Sequence, residues 1–318
     1  MIIDDLLTDV KSVAIFGHVR PDGDCLGSTL GLYNYVKDNY PAIQVNLFLE
    51  RFPENYKILA NSNNTNEIYD EECGTFDLAF LIDTPSFDRI GANGEPCIKT
   101  ARKTCNIDHH ISNPLNLCTE NYVDAKASSA CEVLYYMLDL EKISKDTAEC
   151  LYLGIVHDTG AFKFSSTGQR TMDAIGNLLD KGIDFTRIIN ETYYTRTYIQ
   201  TLVTGYVMMT SKLALNGKVV YSYLTPADME RYSVTPIELS NVIDTLREVS
   251  GTEVAIFLYP VNGENKISLR SNYIVDVNAI AKNFGGGGHV RAAGGSSKES
   301  PEETITKLLK LIQEQLQN

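Results

Sequence analysis

Short apolar runs alternate with longer segments of helical periodicity along the first half of the chain. The apolar runs that predict β-strands lie at 13–16, 45–49, 78–82 and 104–107. Between the first two, apolar residues recur at helical spacing from Leu26 to Val36, which predicts a helix over about 25–37. Strands that alternate with helices indicate an α/β domain with a mainly parallel sheet and helices on both faces.

Further helices in this half are predicted from the signals at their ends. Two capping boxes, Ser129 with Glu132 and Asp146 with Glu149, predict two helix starts. A third helix is predicted from about Thr171, with Lys181 in its last turn and Gly182 just past its end.

The pattern changes from about Phe185, where a polar and aromatic stretch leads into a second region. The strands predicted there are 219–224, 254–259 and 266–270, and the helices are 236–249, 276–284 and 301–316. This mixture indicates a smaller α+β domain. We therefore expect a catalytic domain over 1–185, a helical connection over 186–214 and a second domain over 215–318.

Composition and charge narrow the function classes. The 318 residues carry 41 acidic and 28 basic side chains, a net charge of −13, which argues against binding of long duplex nucleic acid. A short phosphorylated ligand remains compatible with this charge if bound cations reverse the local field. No apolar run approaches about 18 residues and the first residues are acidic, so we expect a cytoplasmic protein without a membrane partner.

The seven cysteines include no CxxC pair. We expect them to be buried, reduced side chains rather than a disulfide framework or a zinc site.

Histidine and aspartate residues cluster where the predicted strands of the first half end. The segment from His18 to Asp24 follows the first strand, Asp83 follows the third, and Asp108-His109-His110 follows the fourth. His157-Asp158 ends the helix that is predicted to begin at Asp146. Because the carboxyl ends of parallel strands share one edge, we expect these side chains to converge there.

Converging carboxylates repel each other unless cations neutralise them. The four aspartates Asp22, Asp24, Asp83 and Asp158 carry −4 together, a charge that two divalent ions would balance. Mixed imidazole and carboxylate ligands without thiolate suit an ion such as Mn²⁺.

A glycine run, 285–288, precedes His289 and Arg291 in the second region. Such a run can be a flexible linker. Its neighbours favour an anion site instead, in which the backbone N–H groups of Gly287 and Gly288 and the guanidinium of Arg291 bind phosphate.

These motifs together resemble a known family. HVRPDGD, LIDT, NIDHHISN and VHDTG resemble, in this order, the four motifs of the DHH phosphoesterase superfamily. SLRS and FGGGGHVRAAG resemble its DHH-associated C-terminal domain. The resemblance covers nearly the whole chain and is strongest to the bacterial nanoRNase branch, whose members also act on 3′-phosphoadenosine 5′-phosphate (pAp). It implies an active site in the cleft between the two domains.

The resemblance also implies roles for individual residues. One metal would be held by His18, Asp22 and Asp83, and the second by Asp24, Asp83, His109 and Asp158. Asp108 would orient its neighbours and His110 would face the scissile phosphate. The implied substrate-binding residues are Arg270, Gly287, Gly288, His289 and Arg291. His157 has no ligand role and is expected to be a packed residue at a helix end, and Arg89 is left outside the site.

The leading hypothesis is a phosphoesterase with two divalent ions, favoured as Mn²⁺, that hydrolyses short oligoribonucleotides and pAp by in-line attack of water. The alternative enzyme would hydrolyse cyclic di-AMP or its linear product pApA. A catalytically silent nucleotide-binding module is the alternative from another class, and the intact ligand set argues against it. The sequence leaves the preferred strand end and a homodimer open.

Overall fold

The computed structural model describes residues 2–66, 74–91, 94–239 and 242–317. The chain divides into two compact units, Met1–Thr195 and Arg196–Asn318. Each unit contains one six-stranded sheet within the described residues. The prediction of an α/β domain with a parallel sheet followed by a smaller α+β domain is confirmed.

All strands of the first unit's sheet run parallel. They are Ser12–Phe16 (β1), Gln44–Phe48 (β2), Thr65–Asn66 (β3), Leu78–Ile82 (β4), Lys103–Asp108 (β5) and Glu120–Val123 (β6). Their order across the sheet is β3-β2-β1-β4-β5-β6, with every neighbouring pair parallel. The four predicted strands are present. The two outermost strands, β3 and β6, were not predicted because they are short and mostly polar.

Seven helices belong to the first unit's described residues. They are Ile2–Leu6 (α1), Gly23–Asn39 (α2), Gly94–Lys99 (α3), Ala130–Met137 (α4), Lys145–Asp158 (α5), Gln169–Leu179 (α6) and Phe185–Ile189 (α7). A π-helical turn, Asn190–Tyr194, follows α7 directly. Short 3₁₀ helices occur at Glu54–Ile58, Phe87–Ile90 and Leu140–Lys142.

One predicted helix start and both predicted capping boxes need correction. The capping residue of α5 is Ser144, whose hydroxyl accepts the N–H of Thr147, so the capping box predicted at Asp146 is wrong. For α4, Ser129 caps the helix as predicted, but Glu132 does not reach back to it. Its carboxylate is buried and accepts hydrogen bonds from Ser128 and Thr171 instead.

The sheet of the first unit is covered on both faces. Alternate residues of β1 point to opposite sides, as the two-residue period of a strand requires. Val13 and Ile15 join the large apolar cluster built with α2, α4 and α5. Ala14 and Phe16 join a second cluster that includes Ile98 of α3. The predicted helices on both faces are therefore confirmed.

The strand order reverses between β1 and β4. From β1 the chain proceeds outward through β2 to β3, and from β4 it proceeds the other way through β5 to β6. Neighbouring parallel strands whose connections diverge leave a crevice at their carboxyl ends, where α/β proteins bind ligands. The segments after β1 and β4 flank this position.

The second unit has a mixed sheet. Its strands are Lys212–Ala214 (β7), Val219–Tyr223 (β8), Val254–Val261 (β9), Glu264–Ser271 (β10), Gly287–His289 (β11) and Ala292–Ser297 (β12). The order is β11-β12-β10-β9-β8-β7, with β8 and β9 parallel and the other pairs antiparallel. Its helices are Tyr198–Thr210 (α8), Pro226–Tyr232 (α9), Val242–Arg247 (α10), Val277–Ala281 (α11) and Pro301–Leu316 (α12).

Two predicted helices of this unit are shorter than expected. The prediction over 236–249 corresponds to a 3₁₀ turn, Pro236–Leu239, and to α10, while residues 240 and 241 lie outside the described residues. The prediction over 276–284 corresponds to α11 followed by a 3₁₀ turn, Lys282–Phe284.

The glycine run forms ordered structure rather than a linker. Gly287 and Gly288 belong to β11, which pairs antiparallel with β12. A Cβ on Gly286 would lie 1.9 Å from the carbonyl oxygen of Gly294, so the close approach of the two chains requires glycine at that position.

The cysteine prediction is wrong at one position. Cys97 forms a disulfide. The described free cysteines are Cys25, Cys105, Cys118, Cys131 and Cys150, and all except Cys118 are buried. None of the helices in the described ranges has the length and apolar character needed to span a membrane.

Candidate active site

The turn between β1 and α2 carries two aspartates, whose carboxylates are held by hydrogen bonds to different backbone segments. Asp22 caps α2, and its Oδ1 accepts the N–H groups of Asp24 and Cys25, each at 3.1 Å. Asp24 is buried, and its carboxylate accepts the N–H groups of Ala130 at 2.6 Å and Cys131 at 3.0 Å in the first turn of α4. Unpaired N–H groups at helix starts stabilise carboxylates in this way.

His18 is buried and has a fixed ring orientation. Its Nδ1 lies 2.9 Å from the carbonyl oxygen of Val19, which can only accept, so Nδ1 carries the proton of the neutral ring. The Nε2 atom then has a free lone pair. It lies 3.7 Å from Asp22 Oδ1 and 3.5 Å from Asp83 Oδ2. A histidine fixed through one nitrogen presents the other to a metal.

Asp83 is buried at the centre of the group. It directly follows β4 and has a left-handed backbone, with φ of +56°. While Oδ2 faces His18, Oδ1 lies 3.6 Å from His109 Nε2 and 3.7 Å from His110 Nδ1. Within the part of the chain that the structure describes, the buried Oδ1 has no hydrogen-bond partner. A buried oxygen without a partner is costly, which suits a cation ligand.

His109 joins three carboxylates. Its Nε2 lies 3.1 Å from Asp158 Oδ2, 3.6 Å from Asp83 Oδ1 and 3.7 Å from Asp24 Oδ2. One imidazole can neutralise at most one of these three charges. The remaining negative charge at this position favours a bound cation.

His110 and Asp108 form a separate pair beside this group. His110 Nδ1 lies 2.7 Å from Oδ1 of the fully buried Asp108. Asp108 Oδ2 accepts the amide of Asn113 at 2.7 Å, and the same amide reaches Oδ1 of the buried Asn106 at 2.8 Å. Asn106 in turn donates to the carbonyl oxygen of Leu81 in β4. The pair is therefore held rigidly against the sheet.

The pKa values of two buried carboxylates at this edge are shifted in opposite directions. Burial, followed by the charge of Asp83, raises the pKa of Asp24 to about 7. Burial also acts to raise the pKa of Asp108, but the hydrogen bond and charge of His110, together with the hydrogen bonds from Asn113 and the His109 N–H, lower that pKa. Burial opposes protonation of His110, but the hydrogen bond to Asp108 and the charge of Asp83 raise its pKa. Burial likewise acts to lower the pKa of His18, but its interactions with Cys25, Asp22 and Asp83 raise that pKa overall.

The predicted metal ligands come together at one edge of the sheet. Three groups have ligand atoms within 4.8 Å of one another: His18, Cys25 and Asp83; Asp83, His109 and His110; and Asp24, His109 and Asp158. Asp22 stands outside these groups, with its side chain 61% exposed, and joins through its distance to His18. Among the described residues, two of the three groups share Asp83, so its two oxygens face separate ligand sets.

Several residues at this edge were not predicted from the sequence. Cys25 lies within the first ligand group and accepts the N–H of His18 at 3.2 Å. Asn106 and Asn113 hold Asp108 in place. Arg89, which was expected to lie outside the site, is close enough for its charge to lower the pKa of His110. Only Asn106 and Asn113 had a signal, because they flank Asp108 in the NIDHHISN segment.

The predicted substrate-binding residues lie in the second unit. Arg270 Nε lies 3.3 Å from Asp244 Oδ1. Arg291 uses its guanidinium to donate to the carbonyl oxygens of Val275, at 2.9 Å, and Tyr273. Gly287, Gly288 and His289 form the exposed edge strand β11.

Two known protein domains match this chain, one in each of its two units. The model of the DHH family, N-terminal domain, matches residues 12–155, and the DHHA1 domain matches residues 216–318. The bifunctional oligoribonuclease and PAP phosphatase NrnA of Bacillus subtilis is 30% identical over 291 residues, covering 90% of this chain and 89% of the relative. The chain belongs to the DHH family.

Two further proteins extend the comparison. An exopolyphosphatase-related protein from Bacteroides fragilis has a crystal structure similar to this one, with a TM-score of 0.90, 26% identity and coverage of 98% of this chain and 94% of that chain. The cyclic-di-AMP phosphodiesterase GdpP of Geobacillus thermodenitrificans is 27% identical over 314 residues, covering 91% of this chain and 45% of the relative. The resemblance of the sequence motifs to the DHH family is confirmed.

Proposed function

We propose that this DHH-family protein is a phosphoesterase that hydrolyses short oligoribonucleotides and pAp with two divalent ions, favoured as Mn²⁺. The observation that carries the proposal is the buried carboxylate of Asp83, whose oxygens face two ligand groups at the strand-order reversal. The likeness to the Bacillus subtilis oligoribonuclease and PAP phosphatase over 90% of the chain supports the substrate class.

We assign the ligands as follows. His18, Asp22 and Asp83 would hold one ion, and Asp24, Asp83, His109 and Asp158 the other. The oxygen and nitrogen donors fit an ion of the Mn²⁺ class, and the Oδ1 of Asp83, which has no hydrogen-bond partner among the described residues, would gain one. Bound divalent ions would lower the pKa of a water molecule and offset the charge of the phosphoryl oxygens.

The protein's own side chains would do the rest of the chemistry. His110 Nδ1 is engaged by Asp108, which fixes the ring, and we assign Nε2 the contact with the scissile phosphate. The raised pKa of His110 favours the protonated ring, which can donate from Nε2 to a phosphoryl oxygen as negative charge develops. Asn113 and Asp108 fix the ring so that little reorganisation accompanies the reaction.

We propose that the second unit binds the part of the substrate remote from the scissile bond. β11 is an edge strand, whose outward N–H groups are not used by the sheet ladder, and His289 is exposed beside it. Arg270 would exchange its partner Asp244 for a phosphate. Arg291 would act by holding the backbone between Tyr273 and Val275, in addition to any contact with phosphate.

A substrate panel tests this function. With Mn²⁺, we expect kcat/KM to be highest for pAp and RNAs of two to five nucleotides, and at least 10-fold lower for a 24-mer. The net charge of −13 repels long polyanions more strongly than short ones. The panel includes cyclic di-AMP and pApA, because the likeness to GdpP makes a cyclic dinucleotide the second candidate. Faster hydrolysis of cyclic di-AMP than of every linear substrate would replace the proposal with that alternative.

Metal binding should depend on pH in a defined direction. The pKa of Asp24 is about 7 in the metal-free fold and near 3.8 in the unfolded chain, so the folded protein holds an extra proton between these values. The stability that this proton supplies is lost as pH rises toward 7. Because a bound ion requires ionised Asp24, we expect the rise in melting temperature caused by Mn²⁺ to be larger at about pH 7.5 than at about pH 5.5.

The control for this measurement is Asp24→Asn, in which the pH dependence of the metal-free melting temperature should become flatter. An equal Mn²⁺-induced shift at both pH values in the wild type would contradict the prediction.

A further inference from the structure

His157 lies directly against the turn that carries Asp22 and Asp24. It is the last residue but one of α5, and its half-buried ring packs on Gly23. A Cβ built on Gly23 would lie 2.3 Å from His157 Cγ and 2.7 Å from its Nδ1. Gly23 is needed here for space and not for a left-handed backbone, because its φ is not positive. The ring therefore contacts the backbone between the two aspartates.

The hydrogen bonds of Thr192 fix the orientation of this ring. His157 Nε2 lies 3.1 Å from Thr192 Oγ1. The hydroxyl of Thr192 has a single hydrogen, which it donates to the carbonyl oxygen of Ile188 at 2.7 Å. Nε2 must therefore be the donor to Thr192, so His157 carries a proton on Nε2.

The surroundings of the ring are themselves held in place. Tyr56 and Tyr193 flank it, with ring centroids 5.5 and 5.3 Å from that of His157. Asn55 donates to the carbonyl oxygen of Thr192 at 3.4 Å, which ties the 3₁₀ helix Glu54–Ile58 to the π-helical turn. The ring is thus fixed from behind by two elements outside the parallel sheet.

We infer that His157 is a positioning residue that holds the turn 22–24 at the spacing in which Asp22 and Asp24 can bind divalent ions. It acts through contact with Gly23, while Thr192 and the two tyrosines prevent the ring from retreating. The inference rests on the divalent ions of the proposed function, but not on any particular substrate.

The first test measures Mn²⁺ binding to the chelator-treated full chain, with free Mn²⁺ followed by electron paramagnetic resonance. Loss of the ring in His157→Ala should weaken Mn²⁺ binding by about 10-fold, as removal of a group that supports metal ligands typically does. His157→Gln should recover most of the affinity, because its amide can donate to Thr192. Glu149→Ala, on the same helix but away from Gly23, is the matched control and should leave the affinity unchanged.

A double-mutant cycle tests the contact itself. Gly23→Ala should weaken Mn²⁺ binding by about 10-fold in the wild type, since the new methyl group displaces the ring. In the His157→Ala background the contacts with the ring atoms are gone and only the Cβ of position 157, 2.6 Å from the new methyl group, remains, so the same substitution should cause a clearly smaller further loss than in the wild type. The melting temperature of each variant shows that it is folded, and His157→Gln keeps the test available if His157→Ala is not.

Three outcomes would overturn the inference. Unchanged Mn²⁺ affinity in folded His157→Ala, or additive losses in the cycle, would do so while leaving the proposed function intact. Absence of Mn²⁺ binding to the wild type would overturn the divalent-ion proposal and this inference together.

Discussion

Asp83→Asn is expected to lower kcat/KM for pAp by at least about 1000-fold, which corresponds to about 4 kcal/mol of transition-state stabilisation. The substitution keeps the size of the side chain but removes the charge that faces both ligand groups. Neither His18 nor His109 can replace that charge. The measurement is steady-state hydrolysis of pAp at saturating Mn²⁺, with Mn²⁺ binding determined on the same samples.

The same substitution should not destabilise the metal-free protein. The negative charge of Asp83 raises the pKa of Asp24, so its removal relieves repulsion in a buried position. Asparagine also tolerates the left-handed backbone of position 83. We therefore expect an equal or higher melting temperature in the presence of chelator.

Asp77→Asn is a control with the reverse expected effects, a loss of stability without a loss of activity. Asp77 directly precedes β4, at the opposite end of the strand from Asp83, and accepts the N–H groups of Lys11 and Ser12. This variant should lose stability and keep its kcat/KM. Activity within a factor of ten of wild type in Asp83→Asn would show that Asp83 is not a metal ligand.

His110→Gln is expected to lower kcat by about 100-fold while KM and Mn²⁺ affinity stay within a few-fold of wild type. Loss of one positioned donor to a developing negative charge typically costs this much. Asn113→Ala should have a smaller effect of the same kind, because it frees Asp108 and thereby the ring. The kcat and KM values are compared with Mn²⁺ binding for each variant.

The alternative for His110 is a ligand role, since His110 lies in one group with Asp83 and His109. In that case Mn²⁺ affinity would fall in parallel with kcat, and added Mn²⁺ would restore activity. Such a result would contradict the assignment of His110 to the phosphate.

The strands were predictable from the periodicity of apolar residues, and the converging side chains were predictable from their positions at the ends of those strands. Residues that follow parallel strands must meet at one edge, so the proximity of His18, Asp83 and His109 could be expected without knowledge of the strand order. The reversal of order between β1 and β4 could not be read from the sequence, because it depends on which strands pair.

The supporting residues were harder to predict because their partners are distant in the chain. Nothing local indicates that Glu132 bonds Thr171, or that Asn106 donates to Leu81. Local capping signals also compete: both Ser144 and Asp146 can cap a helix, and the structure uses the earlier one. The sequence was also ambiguous at Arg291, since a guanidinium can donate to phosphate and to backbone carbonyl groups.

The conformation of Asp83 has an evolutionary consequence. Its backbone is left-handed and its Oδ1 is buried without a partner in the described residues, so position 83 is poorly suited to stability alone. Glycine there would remove the backbone strain, and asparagine would remove the buried charge. A duplicated gene copy released from selection for catalysis would therefore be expected to drift at this codon early, since the replacement stabilises the fold. Aspartate at position 83 in a descendant sequence would mark a lineage in which the activity is still under selection.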